Sequence, residues 1–519
     1  MKMNKAAILL AILFAGITLT FAQGGNQARI LIDTRQARYK INKEIYGHFA
    51  EHLGNCVYGG FYVGENSPIP NTRGIRNDVI EALRGMKIPV LRWPGGCFAD
   101  TYHWKEGIGP QKDRPKMLNV HWGRVVEDNS FGTHEFMDLC ELIGAEPYIS
   151  ANVGSGTIRE MQEWVEYLTS DDDVPMVQLR KKNGRDKPWK VKYWGIGNES
   201  WGCGGNMRPE YYADLYKQFN SFLFNYGKNV LYRIASGANV ADYNWTEVLM
   251  KNISPWEMQG ASLHYYTVPD WSAKGAATQF DADRWYNQIS LALYMEELVK
   301  KHSTIMDKYD PEKRIGLIVD EWGSWYDVEK GTKPGFLYQQ NSLRDALIAS
   351  LNLNIFNNHC DRVKMANIAQ TINVLQSVIL TKDDKMVLTP TYYLFKMYQV
   401  HQNSIMIPMT ILNNPVYKKD KISMPLLDGS ASIDSLGTIN ITLSNSDAEK
   451  EQGVQIELNR DDLKNISGEI VTGNDITSFN DFEKPEEVFI KRFSGFKLRG
   501  NTLGVNLPSK SVVLIQIKK

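Results

Sequence analysis

Two glutamates carry the strongest chemical signal in the chain. Glu199 closes the stretch KYWGIGNESWG, in which Tyr193, Trp194 and Ile196 make an apolar run that stops at Asn198-Glu199. Glu321 closes a second such run, in VDEWG. An apolar run that ends in an acid aims a carboxyl group out of a buried strand, and two such acids facing each other can hydrolyse an acetal. One protonates the leaving oxygen while the other attacks the anomeric carbon. The pair stands about 5 to 5.5 Å apart in retaining glycosidases and roughly 6.5 to 9.5 Å apart in inverting ones. In the retaining scheme Glu199 is the acid/base, kept protonated by burial and by its anionic neighbour, and Glu321 is the nucleophile. Taken singly, either acid also reads as a solvated strand end, a reading that weakens when the two are taken together.

The elements that must position this pair follow a rhythm. Strand-length apolar runs at residues 45–52, 89–95, 147–153, 191–199, 233–239, 261–266, 315–322 and 363–370 alternate with helical patterns at 78–86, 133–143, 157–168, 209–226, 284–302 and 337–354. Strand then helix, repeated eight times, predicts a (β/α)8 barrel, whose reactive groups come from the C-terminal ends of the strands. Those ends read Glu51-His52, Arg92, Asn152, Asn198-Glu199, His264-Tyr265-Tyr266, Asp320-Glu321-Trp322 and Gln370. After a helical pattern at 390–402 the rhythm changes. Short alternating runs separated by Gly, Asn, Asp and Pro predict an all-β sandwich over 404–519. The barrel is thus expected over 42–403, and short strands within 23–41, at 29–32 and 39–41, are expected to join the sandwich.

Composition narrows the partners. The chain has 519 residues with 59 basic and 59 acidic side chains, so no net field favours nucleic acid or an anionic membrane. Its 13 Trp and 25 Tyr offer flat faces suited to sugar rings, although large cores use the same residues. Lys2 and Lys5, an apolar run over 6–19 and small residues before position 23 predict a signal peptide over 1–22, hence export to the periplasm or medium, with no membrane anchor retained. Five cysteines, at 56, 97, 140, 203 and 360, are too few and too scattered for a disulfide scaffold, and their odd number leaves at least one free or paired between chains.

A rival motif is weighed against this. His48 to His52 reads HFAEH, the H-x-x-E-H pattern of inverted zinc peptidases, which needs a helix to bring both histidines to one metal. Gly47 and Gly54 flank it and make a poor helix, so no metal is expected there.

Longer motifs then bear on the pair: IYGHFAEHLG from Ile45, LRWPGGCFAD from Leu91, YHWKEGIGP from Tyr102, GIGNESWG from Gly195, SLHYY from Ser262, VDEWGSWY from Val319 and ANIAQTINVLQ from Ala366. In these the chain resembles glycoside hydrolase family 51, the α-L-arabinofuranosidases, over nearly its whole length after residue 22. The resemblance implies Glu199 as acid/base and Glu321 as nucleophile, on barrel strands four and seven. It implies Asn198 at the sugar 2-hydroxyl, Glu51 and Gln370 as hydroxyl-binding groups, Tyr266 beside the nucleophile and Arg92 keeping that nucleophile ionised. His264 is read as an orienting group, and Trp104 and Trp325 as aromatic walls of the cleft or as core. Cys97 stands where some relatives have Asn, so it is either a sugar contact or a small buried thiol. Cys203, in the departing loop WGCGGNM, is free or paired. The implied activity is exo-acting, retaining release of arabinofuranose from arabinan, arabinoxylan or their oligosaccharides, without metal or cofactor, in a family where hexamers are common. Two alternatives stay open, another retaining glycosidase on the same scaffold and a secreted carbohydrate-binding protein without turnover.

Overall fold

Eight parallel strands close into a barrel in the computed structural model, which describes residues 27–460 and 464–518. In chain order they are Gly47–Phe49, Val90–Trp93, Glu146–Ala151, Tyr193–Ile196, Tyr232–Asn239, Gly260–Thr267, Gly316–Ser324 and Val363–Ile368. The first pairs with both the second and the eighth, which closes the ring. Val90, Tyr148, Tyr193, Ile234, Ile318 and Met365 fill the interior, so the barrel is a packed core with its chemistry confined to one end. The expected leader, residues 1–22, lies outside the described residues.

Helices α1 (Asn77–Met86), α2 (Thr133–Ile143), α3 (Ile158–Thr169), α4 (Pro175–Lys182), α5 (Pro209–Asn220), α6 (Tyr243–Asn252), α7 (Ala282–Tyr309), α8 (Leu343–Asn358) and α9 (Pro390–Tyr398) complete the barrel unit. α3, for example, buries a stripe at helical spacing through Met161, Trp164, Val165 and Leu168. α4 and α6 lie outside the predicted helical patterns: α4 is short and buries only Val177 and Arg180, whereas α6 buries Trp245, Thr246, Leu249 and Met250. α5 stops six residues before the predicted end. Beyond it, Asn225 accepts from Leu231 N at 3.0 Å, and Asn229 exchanges two 2.9 Å bonds with the backbone of Val191. Side-chain amides that serve the backbone in this way compete with helix.

Two sheets form the second unit. One runs Met409–Leu412, Ala28–Ile32, Gln452–Leu458, Thr502–Leu507, Phe496–Arg499; the other runs Ile405–Ile407, Leu427–Ile433, Ile439–Asn445, Ser511–Lys518, Lys464–Thr472, Lys491–Arg492. Ile30, Ile441, Ile456, Leu503, Val513 and Ile515 pack between them. The strand expected at 39–41 is reduced to one bridge, Lys40 to Ile405, because Tyr39 takes φ 57° and breaks the extended run. The outer face of the six-stranded sheet seats α8, which is therefore buried on every side. Its asparagines carry the polar load: Asn354 bonds Asp428 at 2.9 Å and Asn357 bonds Ser430 at 3.1 Å.

Candidate active site

Barrel strand seven supplies the central acids, and its register explains how. Ser262 of strand six pairs with Ile318, but His264 pairs with Glu321, so strand seven carries one extra residue between these points. A bulge of this kind re-aims side chains that simple alternation would send to opposite faces. Asp320 and Glu321, although consecutive, both reach the network at the barrel mouth. Strand four ends differently. Gly197 and Glu199 both take positive φ, 87° and 40°, and the turn is held by Gly202 N and Gly204 N donating to the Glu199 carbonyl at 2.7 and 3.1 Å. Left-handed backbone at a non-glycine residue costs roughly 1 to 3 kcal/mol, offset here by that turn.

Glu199, His264 and Glu321 each bring one atom into a cluster whose members lie within 4.8 Å of one another. Glu321 accepts from Arg92 Nη1 at 2.8 Å through Oε1 and from the Tyr266 hydroxyl at 2.9 Å through Oε2. Glu199 accepts from His264 Nδ1 at 2.9 Å through Oε1, while the opposite nitrogen of that ring meets Asp320 at 3.0 Å. Burial alone would discharge His264, but Glu321, Asp320 and Glu199 outweigh it and push its pKa up to about 10, so both ring nitrogens donate. Burial first, and the Glu321 charge next among the causes acting in the same sense, raise Glu199 above the ordinary carboxylic range against the His264 bond. Its Oε1 is committed to His264, so a retained proton sits on Oε2, the oxygen that faces the loop side of the cleft. Arg92 is fully buried, yet Asp320 and Glu321 hold it charged against the cost of burial.

The second group of residues surrounds Glu51. Its Oε1 accepts from Gly96 N, Phe98 N and Trp122 Nε1 at 3.1, 3.2 and 2.8 Å, and Oε2 accepts from Gln370 at 2.7 Å. Burial and the nearby Glu321 charge push its pKa up to about 7. Asn198 accepts from Arg92 Nη2 at 2.5 Å through its side-chain oxygen. A Cβ on Gly96 would stand 2.7 Å from Glu321 Oε1 and 3.4 Å from Asn198 Nδ2, so the missing side chain keeps open the space between them.

Two sequence expectations change. Trp104 is not a cleft wall: it is 1% exposed, stacked on Trp164 at 5.9 Å and bonded to the Glu160 carbonyl, because the turn that carries it folds back onto α3. Cys97 has no free thiol to offer a sugar, since it is joined to Cys203, while Cys56, Cys140 and Cys360 are free and buried. The histidines of HFAEH do not share a site. His48 packs against Phe395, and His52 stacks on Phe98 with Glu127 at 3.6 Å. Trp325 is half-buried and stands edge-on to Tyr266 at 5.2 Å and to the exposed Trp271 at 5.3 Å.

Sequence reasoning missed Trp122, Tyr148 and the part played by Asp320. Tyr148 donates to Asp320 at 2.7 Å, and Asp320 is held below its usual range, burial notwithstanding, by Arg92, His264 and that bond. Asp320 had a signal, its place beside Glu321 at a strand end; Trp122 had none, being in a loop far along the chain from Glu51. Tyr266→Phe tests the bond to Glu321. Losing one hydrogen bond to a charged group, worth about 1.5 to 3 kcal/mol, should lower kcat/KM by about 10- to 100-fold with the melting temperature nearly unchanged. An unaltered kcat/KM would show that the hydroxyl does not bear on Glu321.

Known proteins resemble this chain over most of its length. The model of the "Alpha-L-arabinofuranosidase 1 domain" matches residues 82–284, and that of the "Alpha-L-arabinofuranosidase C-terminal domain" matches 320–511. A Bacteroides ovatus protein described as an intracellular exo-α-L-arabinofuranosidase is 53% identical over 99% of this chain and 100% of its own length. The crystal structure of a family 51 arabinofuranosidase from Xanthomonas axonopodis pv. citri superposes with a TM-score of 0.93 at 46% identity, covering 95% of this chain and all of that one. The α-L-arabinofuranosidase of Thermotoga maritima, solved with arabinose, gives 0.84 at 30% identity over 95% of this chain and 100% of its own. The intracellular description of the Bacteroides protein overturns the export expected from residues 1–22. An apolar N-terminal run with flanking lysines is a short compositional signal, and it weighs less than a full-length relative. With both family models matched and half the residues shared with a relative from end to end, the chain belongs to the family 51 α-L-arabinofuranosidases, glycoside hydrolases built on a (β/α)8 barrel with a C-terminal β domain.

Proposed function

We propose that the chain removes terminal α-L-arabinofuranosyl residues from arabinose-containing oligosaccharides, retaining configuration through a glycosyl-enzyme on Glu321. The carrying observation is the approach of Glu199 and Glu321 oxygens to within 4.8 Å, too close for the water that an inverting mechanism holds between its acids. Glu321 attacks the anomeric carbon, with Arg92 and Tyr266 holding both its oxygens. Glu199 protonates the leaving oxygen from Oε2. Once the glycosyl ester forms, Glu321 is neutral, the pressure on Glu199 to stay protonated falls, and Glu199 accepts the proton of the attacking water. Asn198, Glu51 and Gln370 supply the polar groups that recognise the sugar hydroxyls. The description of the Bacteroides relative supports exo action on arabinofuranosides and an intracellular place of work.

The test compares aryl α-L-arabinofuranoside with the aryl β-xyloside, the α-arabinopyranoside and cello-oligosaccharides. Turnover of the first is expected to exceed the others by orders of magnitude, with the α-anomer as the first product seen by proton NMR. Preference for the xyloside or the cello-oligosaccharides would move the assignment to another retaining glycosidase, and silence on all four would support a binding protein.

A further inference from the structure

The loop that follows Glu199 brings Cys203 against the acid/base carboxyl, and the turn after barrel strand two brings Cys97 to the same place. Sγ of Cys203 lies 3.4 Å from Glu199 Oε2, and Sγ of Cys97 lies 3.9 Å from it. These three atoms lie within 4.8 Å of one another. The two sulfurs are joined as a disulfide across 106 residues, with the Cα atoms 5.5 Å apart.

We propose that, when this disulfide is reduced, Cys97, Cys203 and Glu199 form a binding site for a thiophilic divalent cation of the zinc class, which switches hydrolysis off. The inference rests on the reading of Glu199 as acid/base.

Distances favour it. A tetrahedral zinc ion with Zn–S of about 2.3 Å and Zn–O of about 2.1 Å spaces a sulfur ligand from an oxygen ligand by about 3.6 Å, and two sulfur ligands by about 3.8 Å. The observed sulfur to oxygen distances, 3.4 and 3.9 Å, bracket the first figure before any movement. Only the two sulfurs must part, which breaking their bond allows. The frame around them is held without the disulfide: Gly202 N and Gly204 N donate to the Glu199 carbonyl, Met207 N donates to the Ser200 carbonyl at 2.7 Å, and Ala99 N donates to the Gly96 carbonyl at 3.0 Å. The carboxylate is prepared as well. His264 holds Oε1 at 2.9 Å, which fixes the plane and leaves Oε2 towards the sulfurs. Three protein ligands then leave the fourth position of the ion to water or to substrate.

A second cluster, Glu199 with His264 and Glu321, has its ligand atoms equally close together. It is a poorer site, because both ring nitrogens of His264 already meet carboxylates at 2.9 and 3.0 Å and both donate. A cation there would have to break those bonds and face two protons.

Two glutathione-class thiols, or one phosphine with one water, break the sulfur–sulfur bond with two electrons and two protons, and the reductant leaves as its own disulfide or as a phosphine oxide whose oxygen comes from the water. On binding zinc each thiol loses its proton to solvent, since the thiolate is the ligand. The ion then occupies the oxygen that must carry the transferable proton, so the leaving group is not protonated. Reoxidation by a glutathione-class disulfide, which takes up the two electrons and leaves as two thiols, removes both sulfur ligands and releases the ion. In the reducing compartment proposed above the dithiol is the expected form.

The experiment uses the full chain in two forms, oxidised and reduced with a phosphine that is then removed under argon. Cys56, Cys140 and Cys360 are buried, so a chromogenic disulfide reagent on the folded protein should count two more thiols in the reduced form. Zinc(II) alone, titrated in competition with a chromogenic chelator, is expected to bind at one equivalent per reduced chain and at none per oxidised chain or per reduced Cys203→Ser chain whose melting temperature shows it folded. Hydrolysis of an arabino-oligosaccharide by the reduced enzyme should fall at least tenfold at that equivalent and return with excess chelator, while the oxidised enzyme is unaffected. No binding to the reduced chain, or equal binding to the oxidised chain, would overturn the site. Reduced-only binding with undiminished hydrolysis would leave the metal site standing and overturn the acid role of Glu199, so the two readings fail separately.

Discussion

Glu321→Ala is expected to lower kcat on the aryl arabinofuranoside by roughly 10⁴-fold or more, because a covalent route without its nucleophile loses a step that no neighbour can supply. Asp320 is adjacent, but its oxygens are spoken for by Tyr148 at 2.7 Å and His264 at 3.0 Å, and the Glu321 position is the one backed by Arg92 and Tyr266. Removing the carboxylate leaves a space opposite the anomeric carbon that a small anion can fill. Sodium azide should therefore restore a measurable fraction of turnover and yield the β-arabinofuranosyl azide, the product of a single inversion. Formation of the azide with the opposite configuration, or full activity without azide, would place the nucleophile elsewhere. Melting temperature should fall little, since the buried Arg92 keeps Asp320 near its Nε at 3.7 Å as counter-charge.

Replacement of Glu199 should separate two classes of substrate. With Glu199→Ala, an arabinobiose or aryl arabinofuranoside bearing a poor leaving group should slow by about 10²- to 10⁴-fold, the usual worth of a positioned general acid. A dinitrophenyl arabinofuranoside needs no proton, so its first step should be nearly unimpaired, and a burst of phenol should precede slow release of the ester. The pH profile gives the same assignment independently. As the proposed acid Glu199 acts protonated, and its pKa is raised, so wild-type kcat/KM should fall as pH climbs through that raised value, and this basic limb should vanish in Glu199→Ala. In Glu321→Gln the anion that helps hold the proton on is gone, so the Glu199 carboxyl should titrate at lower pH by carbon NMR than in the wild type. Equal losses on both substrate classes, or a basic limb that survives in Glu199→Ala, would remove Glu199 from the acid role.

Much of the fold was legible because barrel strands advertise themselves one at a time. Each predicted apolar run overlaps an observed barrel strand, and α2 occupies 133–143, the span predicted for it. Where the reading failed, local conformation had overruled periodicity: past the end of α5 Asn225 accepts from Leu231 N where the prediction continued the helix, and the left-handed Tyr39 interrupts an extended segment. At the site, Glu51, Arg92, Asn198, His264, Tyr266 and Gln370 could be named because each sits at or near the end of such a run, and the structure brings them to one mouth. Trp104 has the same residue type as a cleft wall, and only its neighbours make it core.

By itself the sequence determined the class of molecule and the residues available for chemistry. Alternation of strand and helix, and acids at strand ends, are local properties that barrel closure turns into a shared face. Tertiary structure alone decided the distances. The extra residue on strand seven brings Asp320 and Glu321 to the same network, although strict alternation would separate them. Closure of the ring brings Glu199 and Glu321 oxygens within 4.8 Å, and so separates a retaining site from an inverting one. The meeting of Cys97 with Cys203, and of Trp122 with Glu51, joins loops 106 and 71 residues apart. No periodicity encodes such contacts, because the path of a loop is set by what it packs against.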